Sequence, residues 1–162
     1  MNESALKTPF NSSLETGMRA MIILVTCYPR SLDLQRLVDF DYLVVHSGDV
    51  DGPESLHPPL PMRAGELLIR RSIIESGVML MMSRGFIERV VKDDGIEYLA
   101  SETAMPFVSS LINSYTKNLQ DRAKWVILNF GDASRDSLQS ITAKFFDKWT
   151  TEFHPLQGSL DN

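Results

Sequence analysis

The fifteen residues Phe86–Ala100, FIERVVKDDGIEYLA, decide the fold. Two short runs rich in β-branched and aromatic residues flank Asp94-Gly95, and glycine there accepts the positive φ that a tight hairpin turn demands. The stretch reads as two antiparallel strands. Working upstream, residues from about Met62 to Arg84 return to helical spacing, with Leu67, Ile74 and Met81 on one seam and Gly85 as a left-handed stop. Gly77 is the weak point of that helix, costing about 1 kcal/mol against alanine. Downstream, Val108, Ile112, Tyr115, Leu119, Ala123, Val126 and Phe130 recur at steps of three and four. They predict one long amphipathic helix, bent near Asn113-Ser114 and ended by Gly131. A last helix is expected from Ser134, with Leu138, Ile141, Phe145 and Trp149 on its stripe.

Two further helices precede the loop that leads to that third helix. Ser12 and Glu15 have the spacing of a capping box, and Leu14, Met18, Met21, Ile22 and Val25 follow on one face. Tyr28-Pro29 ends that helix, because proline disfavours helical backbone in the residue before it. Ser31 is the expected cap of a second helix carrying Leu34, Leu37, Val38 and Leu43. Three helices followed by a hairpin is the order of a winged-helix domain, the hairpin being the wing. The expected fold is therefore mainly α with a small β-hairpin, a winged-helix-type (α+β) domain followed by two C-terminal helices. All 162 residues are expected to form a single domain, with the winged-helix-like core at 12–104 and a C-terminal helical extension at 105–153.

Bulk composition narrows the function classes. With 43% apolar residues the chain can bury a core, and its one cysteine, Cys27, fits a reducing compartment. The apolar run Met21–Val25 is too short to span a bilayer, and MNESALKTPF has neither the basic start nor the apolar length of a signal peptide. A cytoplasmic protein without membrane association is expected. Sixteen basic against twenty-one acidic residues give a net charge of −5, which weakens the case for an autonomous nucleic-acid binder. The charge is divided unevenly. Asp33 to Glu54 holds six acids and one base, whereas Arg63 to Lys92 holds six bases and three acids. That asymmetry points to two different contact faces.

The segment most like a chemical site is His46–Pro61, HSGDVDGPESLHPPLP. His46, His57 and one of Asp49 or Asp51 would make a three-ligand zinc site with an open position. Yet the histidines stand eleven apart on a proline-rich loop, and His154 is remote, so a rigid acidic connector is the stronger reading. Cys27, at the end of an apolar helix, suits a buried inert thiol. No G-x-S-x-G elbow, phosphate loop or HExxH motif occurs. No catalytic residue, metal or cofactor is expected. Contact with DNA or an acidic partner is expected of Arg70, Arg71, Arg84, Arg89 and Lys92, by charge rather than by sequence reading. Contact with a protein partner is expected of Met79, Met81 and Met82, because Val78 to Met82 cannot all face one side of a helix. Asp49 and Asp51 would add an acidic docking edge.

Several segments together resemble a known family: PFNSSLETGMRA, LDLQRLVDFDYLVVHSGD, SLHP, GELLIRR, MMSRGFIERV, GIEYLA and LQDRAKWV. They are similar to the middle component of ABC three-component systems, the small accessory subunit of Lamassu-type bacterial defence complexes. The likeness runs from Pro9 to about Trp149. It implies a winged-helix-type adaptor working beside an SMC-like ABC ATPase that senses foreign DNA and a nuclease-type effector held inactive until then. It brings no catalytic motif. Two other readings compete: a free-standing winged-helix DNA-binding regulator, and a metal-dependent hydrolase built on the His46–Pro61 loop.

Overall fold

The computed structural model describes residues 12–58 and 64–144, the backbone alone at 64–68. Helix α1 spans Ser13–Cys27; the Ser12 hydroxyl accepts the N–H of Glu15 at 3.2 Å, so the expected cap is in place. Met21, Ile22, Ile23 and Leu24 are all buried, and four consecutive buried positions make α1 a central helix rather than a surface one. Leu14, expected on its apolar face, is instead 59% exposed.

A two-residue strand, β1 (Leu32–Asp33), then leads directly into α2 (Leu34–Val45). The cap of α2 is Asp33, whose carboxylate accepts the Arg36 N–H at 2.7 Å, and not Ser31. Pairing of Leu32 with Tyr98 and of Asp33 with Glu97 keeps 32–33 extended, which delays the helix start. The stretch DFDYLVV is helical. A short 3-10 turn, Ser47–Val50, opens the long connection to α3 (Ala64–Ser83).

The hairpin forms as the sequence indicates: β2 (Ile87–Lys92) pairs with β3 (Gly95–Ala100) from Ile87↔Ala100 to Lys92↔Gly95. With β1 it makes a three-stranded antiparallel sheet in the order β1-β3-β2. Gly85, with φ 77, supplies the left-handed residue before it. The predicted long helix is two helices, α4 (Ala104–Ser110) and α5 (Ser114–Phe130). Asn113 causes the break, because its side chain accepts the Thr116 N–H at 2.9 Å and starts a new helix. Helical backbone resumes at 135–144, with Leu138 buried. Phe145, Trp149 and His154, like Met62 and Arg63, lie outside the described residues.

Helix α1 packs on α3, α5 and α4, and α5 also packs on α2. Leu119, Ala123 and Val126 of α5 join the same apolar core as Leu37, Phe40 and Leu43 of α2. At the α1–α3 crossing the backbones meet. A Cβ added to Gly77 would lie 2.5 Å from the Gly17 nitrogen and 3.0 Å from the Ser13 oxygen. Gly77 therefore gives up helix propensity for close packing.

Candidate interaction surfaces

The core carries a polar hub. Asp41 and Arg19, each 2% exposed, form a two-pronged pair: Arg19 Nε donates to Oδ1 at 2.7 Å and Nη2 to Oδ2 at 3.2 Å. Arg70 of α3 donates to Oδ2 at 2.6 Å, and its guanidinium lies 5.4 Å from the Tyr42 ring centre. One carboxylate of α2 thus ties α1 to α3. Burial alone would raise the Asp41 carboxyl, but Arg19 and Arg70 outweigh it and hold it below the ordinary range.

Around the hub sit both loop histidines. His57 Nε2 lies 2.7 Å from the Tyr115 hydroxyl of α5, and the His46 and His57 rings are 6.3 Å apart. Burial, then the cationic arginines, push each imidazole down to about 4, so both are neutral at pH 7. The fold does bring these histidines together. The Asp49 carboxylate, however, accepts the Tyr42 hydroxyl at 3.1 Å. Among the described residues no group of three His, Cys, Asp or Glu side chains is placed to hold a metal ion.

The His46 loop is clamped to α5. A Cβ on Gly52 would collide with the Trp125 ring. Arg122 donates twice to the Glu54 carbonyl, at 3.0 and 2.9 Å, and Ser47 Oγ donates to the Pro53 carbonyl at 2.8 Å. Asp51 takes the left-handed conformation at φ 58 and is exposed, as are Asp49 and Glu54. Asp39 and Asp41, counted from sequence with the acidic stretch, are buried. The acidic face is narrower than the composition suggests.

The expected contact residues separate into three groups. Arg84, Arg89 and Lys92 are exposed at the end of α3 and along β2. Arg71 is exposed and donates to the Gln35 side chain at 2.7 Å, while Arg70 turns inward to Asp41. Of the methionines, Met79 is 59% exposed, Met82 is half-buried and Met81 is in the core at 3%. Around α3, Ile69, Ser72, Ser76, Met79 and Ser83 form an exposed uncharged strip, with Glu75, one turn before Met79, along its edge. Sequence reasoning missed the hub, since Arg19 and Asp41 are 22 residues apart. A buried Asp inside the apolar run LVDFDYLVV was the one available signal.

Between the hairpin, the start of α2 and residues 135–139 lies a cleft of about 530 Å³. Arg71, Gln35, Ile96, Tyr98 and Arg135 line it, together with acids of the hairpin. No helix among the described residues is long and apolar enough to cross a membrane. No curated protein and no solved structure matches the chain. Residues 9–152 match the family described as ABC-three component (ABC-3C) system Middle Component 2. A match over most of the chain makes this protein a member of that middle-component family.

Proposed function

We propose that the protein is a non-catalytic adaptor of a Lamassu-type bacterial defence complex. It bridges an SMC-like ABC ATPase, the DNA sensor, and a nuclease-type effector that it helps hold inactive until foreign DNA arrives. The observation that carries this reading is the family match over residues 9–152, since a middle component implies other components to join. The geometry agrees with it. His57 and Asp49, which most resemble site residues, are engaged by Tyr115 and Tyr42, and His46 is buried beside them, while α3 offers partners an uncharged strip around Met79.

A winged-helix reading of 12–104 is supported by the order α1-β1-α2-α3-β2-β3 and the sheet order β1-β3-β2, in which the wing hairpin is completed by β1. Its wing is acidic: Glu88, Asp93, Asp94 and Glu97 outnumber Arg89 and Lys92. Phosphate contact through such a wing is disfavoured, so DNA is reached through the complex, with Arg84 the best placed cation. The protein works in the cytoplasm, without metal or cofactor. Co-expression of the tagged protein with the other two components tests the reading. A stable three-protein complex, with ATPase and nuclease activities absent from this subunit alone, is the expected result; failure of the subunit to retain either component overturns it.

A further inference from the structure

Strand β2 ends the sheet: in the order β1-β3-β2 its outer side meets no strand among the described residues. Ser101 N–H donates to the Phe86 carbonyl at 2.9 Å, which sets the alternation of the β2–β3 ladder. Counting on from Phe86 in steps of two, Glu88, Val90 and Lys92 bond toward β3. Arg89 and Val91 therefore direct their N–H and C=O outward, and both side chains are exposed, Val91 by 80%. An open strand edge is a template for another strand.

The charges along this edge restrict which strand can join it. Glu88, Arg89 and Lys92 are exposed, and among the described residues none of them forms a salt bridge. In an antiparallel pair, outward positions must face outward positions, so a second copy of β2 can meet the first only in alternate registers. Setting Arg89 opposite Val91 of the second copy meets this condition and puts a two-fold axis at Val90. Glu88 then faces Lys92 of the second copy, and Lys92 faces its Glu88. Val90 meets its own counterpart in the close, non-hydrogen-bonded position. A shift of two residues one way would oppose Arg89 to Arg89. A shift the other way would reach into the turn and oppose Glu88 to Asp94. In the central register, Asp93 of the second copy falls opposite Ile87. Its acidic turn thus arrives at the α3 end of β2, where Arg84 is exposed and a Cβ on Gly85 would meet nothing within 4 Å.

We propose that β2 pairs antiparallel with β2 of a second copy of this chain, joining two three-stranded sheets into one across a two-fold axis at Val90. Each Arg89–Val91 pair exchanges two N–H···O bonds, and each Glu88–Lys92 pair adds an opposite-charge contact. The strand, read backwards, complements its own charges, which favours a second copy over an unrelated strand. A pair of strands this short buries less than the about 1,200–2,000 Å² of a standard interface, so the dimer is weak and forms in the micromolar range.

Sedimentation of the full-length protein over a concentration series tests the pairing, and a monomer–dimer equilibrium is expected. Glu88→Lys and Lys92→Glu are exposed changes that leave folding intact, as melting curves will check. Each creates like-charge contacts on both sides of the axis and should raise the dimer Kd about tenfold or more. Mixed together, the two variants regain every opposite-charge pair, so a heterodimer of near wild-type strength should form. The double variant should dimerise by itself for the same reason. Val91→Pro, tolerated at a free edge, removes an outward N–H and should abolish the dimer. Exchange of the Arg89 and Val91 amides should slow as the wild-type protein is concentrated. A monomer at every concentration overturns the pairing, and so does a dimer indifferent to both charge reversals.

Discussion

At Asp41 the energetics turn on two arginines that reach a single carboxylate from different helices. A buried ion pair adds little beyond a well-packed apolar substitute, but removing one partner strands the other without water. Asp41→Ala should therefore lower unfolding free energy by about 3–5 kcal/mol, read by urea titration, and it should do so with no partner present. The histidines beside it set the response to acid. Each imidazole titrates near 4 in the folded protein against 6.5 when free, so between those values the unfolded chain binds more protons. Their contribution is complete above pH 6.5 and is lost as the pH falls toward 4. Asp39, raised by burial to about 6, works in the opposite direction but is one group against two. The melting temperature should fall on acidification from pH 6.5 to 4, and His46→Gln, His57→Gln should flatten that fall. A melting temperature steady over that range would contradict the buried, neutral state of the pair. None of this could be seen from spacing, because residues 19, 41, 57, 70 and 115 meet only in the folded chain.

Among the elements, the hairpin was legible because Asp94-Gly95 is a local signal, and the helices because their apolar residues repeat. Strand β1 was not, since two residues show no period and owe their conformation to β3. The same limit explains why the spacing from Val108 to Phe130 indicates a bend near Asn113-Ser114 rather than a break there, since apolar residues recur across it and the Asn113 cap divides the helices. Gly77 separates propensity from packing. In an exposed helix Gly→Ala gains about 1 kcal/mol. Here the new methyl would press on the Gly17 backbone, and overpacking typically costs about 1–3 kcal/mol. Gly77→Ala should lower the melting temperature, and a rise would mean that the α1–α3 crossing relaxes freely. Gly52→Ala should likewise loosen the loop from Trp125, seen as faster amide exchange at residues 47–57.

For the whole molecule, the division of surfaces predicts that assembly and stability separate. Met79→Glu leaves the core untouched and should keep the wild-type melting temperature while preventing recovery of the three-component complex; intact assembly would remove the α3 strip from the interface. What the sequence could convey at this scale came from family likeness, because docking faces have no period and no motif. Cys27 adds a practical consequence. It is the one sulfhydryl in 162 residues, half-buried where α1 gives way to β1, and burial raises it to about 11. A thiol so shielded reacts slowly until the local structure opens. The native protein thus carries its own clock for breathing at the joint between helix and sheet, and the rate of its alkylation, free and in complex, reports whether a partner stiffens that joint.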